Sequence, residues 1–518
     1  MFIALLPYLA PLALIAGAIL AFRGPQMRPT QELAKVEIAS LVALGVAVLS
    51  ALVLILTGPA SSLLIGAGGL GLSARLDAVS AVMLLLVTFV GWVVVRYAAT
   101  YMDGEARQGP FTGWLCLTLA AVMLLVIAGN VAQLVLAWIG TSLALHKLLL
   151  HYPERVAAQR AARKKWITAR LGDAALLGAV VLMVAAYGTG DLAQIHASAR
   201  LSEGSNAGWI AALLAIAAIL KSAQFPMHGW LTEVMETPTP VSALLHAGVI
   251  NAGGFLLIRF SDVMLLAPGV LAVLVMIGGF TALFGGLVML TQSAVKTSLA
   301  WSTVAQMGFM ILQCGLALFP LALLHIVAHS LYKAHAFLAS GQAVDGVAAI
   351  RRPGPVAIPN GLAVGRAFLI ALVIYAVVGL VFGVTGKSPQ AIALGAILIF
   401  GVAYLLAQGL ADAAPRVLTQ RTAAYSLAAA VGYFALQTGA EWLMSGTLPA
   451  TPTPGPLEWA LIVLALFSFG TVAIAQAMFP LWAYHPAAAG LRVHLSNGLY
   501  ANAVFDKLLR GWSTKTSS

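Results

Sequence analysis

The sequence predicts an all-α polytopic membrane protein, and two observations lead to that prediction. Hydrophobic residues make up 61% of the 518 residues and charged residues only 9%, whereas a soluble domain carries about 25% charged residues. The apolar residues also fall in runs of roughly 20, which is the length of a helix that crosses a bilayer. We therefore expect about 14–15 transmembrane helices.

In chain order, the predicted spans lie near 2–22, 36–57, 78–100, 111–129, 131–150, 167–187, 208–233 (broken), 240–260, 264–289, 294–316, 320–341, 366–385, 389–411, 422–444 and 457–480. The first run is too long for a cleaved signal and is expected to remain as a span.

The charges and cysteines exclude other classes. Net charge is +11, but the basic residues stand in short loops beside the spans, which indicates membrane topology rather than nucleic-acid binding. The strongest basic cluster, predicted as the loop 147–170, places that side in the cytoplasm, with the N-terminus outside and the C-terminus inside. Arg259 falls on the outer side, against the positive-inside rule, but as a single residue it does not change the predicted orientation. Cys116 and Cys314 lie inside apolar runs, so neither a disulfide framework nor a metal site is expected.

The segment from Lys221 to Arg259 combines titratable groups with helix breakers. A lysine ends an apolar run, where a charge is costly, and prolines follow it before a second apolar run begins. The residues of interest are Lys221, Pro226, Glu233, Glu236, Pro238, Pro240 and His246. A snorkelling lysine and ordinary proline kinks are the structural alternative. Their grouping in one segment favours an ion path through a broken helix.

This segment resembles the core motif of the proton-conducting antiporter-like family. The matching residues are Lys221 with the following Ser-Ala-Gln-Phe-Pro, Trp230-Leu231, Glu236, the run Pro238–Ala243 and His246-Ala247. The family includes the large membrane subunits of respiratory complex I, the large Mrp-type antiporter subunits, and the DabB branch, which is the membrane half of an inorganic-carbon uptake complex. The resemblance implies two inverted repeats. The implied regions are 1–110 (N-terminal helices), 111–260 and 261–411 (the two repeats), 412–481 (C-terminal helices) and 482–518 (cytoplasmic tail).

Further titratable residues lie inside predicted spans. His325, His329 and Lys333 follow one another at i, i+4 and i+8, so they share one helix face. Two histidines at this spacing could bind zinc, but no third ligand is placed to complete a site, so no metal is expected in this chain. Groups that titrate near neutrality suit a proton wire better, because histidine does so intrinsically and burial moves lysine toward the same range. Lys296 resembles the lysine of the family's middle helix.

Two positions are ambiguous. Arg170 and Asp173 stand at i and i+3 and can pair on one helix face, either in a structural ion pair or in conduction. Lys387, between Gly386 and Pro389, resembles the family's second broken-helix lysine, with a loop lysine as the alternative.

One departure from the family pattern concerns the fifth span. The family carries a glutamate after tryptophan there, whereas this chain has Trp138-Ile139-Gly140. Asp173 and Glu233 are the two candidate substitutes. The loss argues against an ordinary complex I or Mrp subunit and favours a divergent branch.

The tail is predicted to end in an amphipathic helix. Its apolar face includes Leu499, Phe505, Leu508 and Trp512, while Asp506 and Lys507 face away. The helix is either a surface-lying terminal element or a docking element for a soluble partner.

The resemblance implies an inner-membrane subunit that conducts H⁺, or Na⁺, and performs no bond chemistry. It would hold no cofactor and would dock a large cytoplasmic DabA-like zinc protein that hydrates CO2 to bicarbonate. A redox-driven or antiport subunit is the first alternative, and a scaffold that has lost conduction is the second.

Overall fold

A computed structural model describes residues 2–201, 206–341, 359–411, 414–478, 482 and 485–510, with the side chains of Phe2, Ile3, Glu236, Leu508, Leu509 and Arg510 outside that description. Among these residues, 12 helices are long and apolar enough to cross a membrane. Three more helices occupy the remaining predicted span positions, at Ala207–Lys221, Val295–Gly315 and Arg416–Met444. The protein is therefore a multi-pass, helical membrane protein, as predicted.

The helices of the first half are α1 (Leu9–Arg23), α2 (Thr30–Thr57), α3 (Ala78–Tyr101), α4 (Gln108–Val126), α5 (Val131–Leu149), α6 (Val156–Tyr187), α7 (Leu192–Arg200), α8 (Ala207–Lys221), α9 (Gly229–Glu233), α10 (Thr239–Ala247) and α11 (Ala252–Arg259). Those of the second half are α12 (Ser261–Leu265), α13 (Pro268–Met289), α14 (Val295–Gly315), α15 (Phe319–Leu338), α16 (Gly361–Val381), α17 (Pro389–Gly409), α18 (Arg416–Met444), α19 (Pro456–Ala477), α20 (Ala489–Ser496) and α21 (Ala501–Arg510).

A small β-structure between α2 and α3 was not predicted. It comprises β1 (Ala60–Ser61), β2 (Ile65–Ala67), β3 (Leu70–Leu72) and β4 (Arg75–Leu76), with β1 antiparallel to β4 and β2 antiparallel to β3. The β2–β3 turn is Gly68-Gly69, and both glycines have positive φ, the geometry of a two-residue hairpin turn. The Asn130 side chain donates to the Gly69 carbonyl at 3.0 Å, which fastens the hairpin to the start of α5.

The helix α6 begins earlier than predicted, so the predicted basic loop 147–170 is wrong. The stretch from Val156 onward is rich in Ala, Arg, Lys and Gln, which are good helix formers. Its two adjacent lysines, Lys164 and Lys165, are buried rather than solvated. They are tolerated there because each ammonium has partners on neighbouring segments, described below.

The predicted break near Pro226 is confirmed. The helix α8 ends at Lys221, and the chain runs irregularly to His228 before α9. Pro238 caps α10 and Pro240 lies in its first turn, where a missing N–H costs nothing. A second interruption, the 3₁₀ turn Val249–Asn251 between α10 and α11, was not predicted.

The position of Arg259, which departs from the positive-inside pattern, is explained by an ion pair. Its Nη1 lies 2.7 Å from Asp77 Oδ2, and Arg75 Nε lies 2.7 Å from the same oxygen. Burial acts to raise the pKa of Asp77, but Arg259 and Arg75 together hold it well below its usual range. The arginine that departs from the positive-inside pattern therefore has a local counter-charge, which it shares with Arg75.

We expect Asp77→Asn to lower the free energy of unfolding by about 3–5 kcal/mol, because it leaves a buried guanidinium without its counter-charge. The measurement is equilibrium unfolding of the purified chain in mixed micelles. Asp103→Asn is the matched control, since Asp103 pairs with Arg28 at 3.3 Å on the exposed surface, and its loss is expected to cost less than about 1 kcal/mol. Equal effects of the two substitutions would contradict the assignment.

Candidate ion-translocation site

Lys221 stands at the open end of α8, beside an aromatic ring on α5. Its Nζ lies 4.4 Å from the centre of the Trp138 ring. The edge of that indole donates from Nε1 to Asp173 Oδ1 at 2.9 Å. Asp173 is also paired with Arg170, at 2.6 Å. The ammonium of Lys221 thus lies over the face of an aromatic ring. Trp138 separates it from Asp173, the nearer of the two candidate carboxylates.

Glu233, the other candidate substitute for the missing glutamate, is engaged elsewhere. Its Oε1 lies 2.5 Å from Lys164 Nζ, and Arg160 approaches its second oxygen at 3.8 Å. Lys164 is also 2.7 Å from Asp506 on α21. Of the two carboxylates, Asp173 is therefore the one that faces the Lys221 region, while Glu233 belongs to a separate ion cluster.

A second group of polar side chains gathers where α10, α14 and α15 meet. His246 Nδ1 lies 3.0 Å from Thr303 Oγ1, and the imidazole stacks on Phe337 with ring centres 4.3 Å apart. Lys333 is fully buried and donates to the Leu299 carbonyl at 3.1 Å. Three helices therefore present one histidine, one hydroxyl and one lysine to a common interior region.

The row predicted on α15 joins this group. The rings of His325 and His329 are 5.9 Å apart and nearly parallel. His329 interacts electrostatically with His325, Lys333 and His246. At the next residue of α15, Ser330 Oγ accepts from Asn251 Nδ2 at 2.9 Å, which ties the second interruption to the same helix.

Several buried polar atoms in this region have no hydrogen-bond partner among the described residues. They include His246 Nε2, both ring nitrogens of His329, His325 Nε2, Asn251 Oδ1 and both ring nitrogens of His228. Buried polar atoms are normally satisfied by protein or by ordered water. Unsatisfied polar atoms of this kind are what a water-linked proton path requires.

Lys296 lies at the edge of the group and Lys387 lies apart from it. Lys296 Nζ donates to Thr239 Oγ1 at 3.1 Å, linking the starts of α14 and α10. Lys387 follows the 3₁₀ turn Val384–Gly386 in the connection between α16 and α17, two helices of full length, so the loop alternative describes it. Its Nζ pairs with Glu441 on α18 at 2.9 Å. Its membership of the path stays a prediction, as does that of Glu236.

The structure adds site residues that the sequence alone did not indicate. Lys165 Nζ bonds the Ser142 carbonyl at 2.5 Å and its Oγ at 2.9 Å, and Thr303 and Glu441 pair with predicted residues. The sequence signal that could have indicated Lys164 and Lys165 is their position in an alanine-rich stretch of good helix formers, which places them on a helix and not in a loop. Within the described ranges, no group of three or more His, Cys, Asp or Glu side chains is placed to hold a metal ion.

The predicted docking face of the tail needs correction. Phe505 is buried against its own chain, and Lys164 Nζ lies 6.0 Å from its ring centre. Asp506, expected to face away, points inward to Lys164 because that buried ammonium needs counter-charge. Leu499 is 42% exposed and remains available to a partner. The side chain of Leu508 and the whole of Trp512 lie outside the described residues.

Comparison with known proteins agrees with this architecture. Residues 128–353 match the family described as NADH:quinone oxidoreductase/Mrp antiporter, TM, and residues 65–112 match that described as NADH-Ubiquinone oxidoreductase (complex I), chain 5 N-terminus. The fold and the buried lysine–histidine group together define an ion-conducting, multi-pass membrane subunit.

The relatives make the assignment more specific. The chain is 39% identical over 531 residues to the probable inorganic carbon transporter subunit DabB2 of Halothiobacillus neapolitanus, covering 97% of this chain and 94% of that one. It is 47% identical over 269 residues to the probable subunit DabB of Hydrogenovibrio crunogenus, covering 51% and 52% of the two chains. A chain in the structure of the Mrp complex from Dietzia sp. DQ12-45-1b matches with a TM-score of 0.62 at 23% identity, over 100% of this chain and 61% of that one, which shows a shared fold. The chain belongs to the antiporter-like family of membrane subunits that includes the DabB proteins.

Proposed function

We propose that this chain conducts H⁺, or Na⁺, inward across a bacterial inner membrane and that the flow energises a cytoplasmic partner that hydrates CO2. The observation that supports it most is the interior group of His246, Lys333, His329 and His325, in which all three histidines have ring nitrogens without a hydrogen-bond partner among the described residues. Buried titratable groups are costly in a membrane and are retained where they carry ions. The chain performs no bond chemistry in this scheme.

The route begins on the outer side, passes the histidine face and reaches the Lys221 break before the cytoplasm. Three lysines carry the proton by gaining and losing it in turn, namely Lys221, Lys296 and Lys333. Asp173 supplies a negative charge near Lys221, on the far side of Trp138. Glu233, with Lys164, lies at the cytoplasmic end. The tail is cytoplasmic in this topology, on the side of the basic cluster that contains Arg160 and Lys164.

The partner in this proposal is a large DabA-like protein with a carbonic-anhydrase-like zinc site. The two relatives are named as inorganic carbon transporter subunits. Those names support the proposal that this chain works in a multi-subunit assembly with such a partner. One proton crossing about 100 mV releases about 2.3 kcal/mol, which corresponds to roughly a fiftyfold bias on hydration if coupling is complete. The exposed tail residues Leu499 and Val504 offer an apolar contact for such a partner.

The test is purification of the intact complex in mild detergent from the native host, followed by identification of co-purifying chains and a metal assay. We expect one large soluble protein with bound zinc, and carbon uptake that an H⁺ or Na⁺ ionophore abolishes. Co-purification of several antiporter-like subunits, or of flavin and iron–sulfur proteins, would instead support a pumping or antiport subunit. The family match to the NADH:quinone oxidoreductase/Mrp antiporter region favours that second candidate.

A further inference from the structure

A cavity with a mostly apolar lining, in which five polar side chains stand, lies between five helices of the second half of the chain. Its volume is about 370 Å³, and its polar lining residues are Ser302, Gln306, His325, Tyr404 and Gln476. These side chains come from α14, α15, α17 and α19, and α13 closes the remaining wall. A volume of this size holds roughly a dozen water molecules.

The cavity extends from the middle of the bundle toward the side on which the tail lies. At one limit it reaches Met289, the last residue of α13, and the nearby Gln292 side chain contacts the Ser496 carbonyl of α20 at 3.4 Å. At the other limit it reaches Phe309 and His325. The lining therefore runs between the tail side and the first histidine of the row on α15.

The five polar side chains in this mostly apolar lining are unusual at this depth. Gln306 is exposed even though it stands eleven residues beyond the start of α14, a rise of roughly 16 Å along the helix. An exposed carboxamide at that depth is unfavourable against lipid and favourable against water. His325 Nε2, at the inner end of the cavity, has no hydrogen-bond partner among the described residues. Both observations point to water as the occupant.

We propose that this cavity is an aqueous vestibule through which His325 exchanges protons or hydrated monovalent cations with the tail side. It deepens the proposed function, on which its transport role rests, by giving the histidine row a second access point besides the Lys221 break. His325 is then the group that exchanges with bulk water, and Ser302 and Gln306 hydrate the ion on its way. Lys333, farther along α15 and fully buried, receives charge only through the row.

The vestibule is tested by cysteine accessibility in the full complex. In a background with Cys116→Ala and Cys314→Ala, which removes both buried native thiols, Ser302→Cys is exposed to a membrane-impermeant cationic methanethiosulfonate. The reagent is added separately to inside-out and right-side-out vesicles. Thr303→Cys is the matched control, since this neighbouring position is fully buried and faces His246.

We expect Ser302→Cys to react from the tail side at least roughly tenfold faster than Thr303→Cys, because the control reacts only after local opening. The fixed positive charge should then slow ion flux by roughly tenfold. Reaction from the opposite side only, or reaction only with a membrane-permeable maleimide, would overturn the vestibule. Rapid labelling that leaves ion flux unchanged would overturn its transport role.

Accessibility is independent of what the ion flow drives. If the complex fails to take up inorganic carbon but Ser302→Cys still labels from the tail side and the label slows flux, the vestibule stands and the carbon assignment falls. If carbon uptake depends on ion flow but Ser302→Cys is as unreactive as Thr303→Cys, the carbon assignment stands and the vestibule falls.

Discussion

Lys221→Met is expected to reduce ion flux by about a hundredfold, the scale of losing a positioned proton carrier. Methionine preserves the length and apolar contacts of the side chain beside Trp138 but removes the amine that carries the proton in this proposal. The measurement is proton or sodium uptake into vesicles containing the reconstituted complex, followed with an interior pH or sodium dye. Assembly with the partner should be unchanged, because the Lys221 ammonium lies against Trp138 on α5 rather than in the predicted docking face of the tail.

The matched control is Lys507→Met, which removes a lysine from the exposed side of α21. It should conduct normally. A Lys221→Met complex that assembles and supports full carbon uptake would show that the chain is a scaffold, and conduction through the broken helix would have to be abandoned.

Lys164→Met is expected to lower the free energy of unfolding by about 3–5 kcal/mol, since it removes the shared partner of two carboxylates. Lys164 is 1% exposed and lies within 2.7 Å of both Glu233 and Asp506. Its removal leaves like charges facing each other and releases α21 from α6. Limited proteolysis should then cut the tail of the variant several times faster than that of the parent, and thermal unfolding in detergent should report the loss of stability.

Lys147→Met provides the comparison for this substitution, because Lys147 stands exposed at the end of α5. It should change stability by less than about 0.5 kcal/mol. Replacing Asp506 by Asn in the Lys164→Met background should recover part of the loss by removing one of the facing charges. A tail equally protected in Lys164→Met and the parent would mean that Phe505 alone holds α21.

The helices and the break at Lys221 could be predicted from sequence because their signals are local. Length and hydropathy define a span, and proline acts on its own backbone position. The row on α15 was equally accessible, since its spacing is a property of one helix. The interruption at Val249–Asn251 was not, because its polar groups find their partners on other segments. Ser222 Oγ donates to the Ile250 carbonyl, and the Asn251 side chain donates to Ser330 Oγ, 79 residues away.

The counter-charges of the site were the least predictable part. Lys164 meets Glu233 across 69 residues and Asp506 from the far end of the chain, and no sequence pattern links these positions. The same limitation led to the wrong orientation of Phe505 and Asp506 in the tail. Which side of an amphipathic helix is covered depends on what the remainder of the chain offers it.

The central span from Thr239 to Arg259 has 94% of its most apolar stretch buried in protein, whereas α2 and α19 have only 22%. Bilayer thickness and acyl-chain chemistry therefore act directly on the outer helices and reach His246 only through them. Thinner or thicker membranes should tilt α2 and α19 at a modest cost per ångström of mismatch, while the geometry around His246 stays constant. A host that remodels its lipids with temperature would thus alter how the complex sits in the membrane before it altered how the ion path conducts.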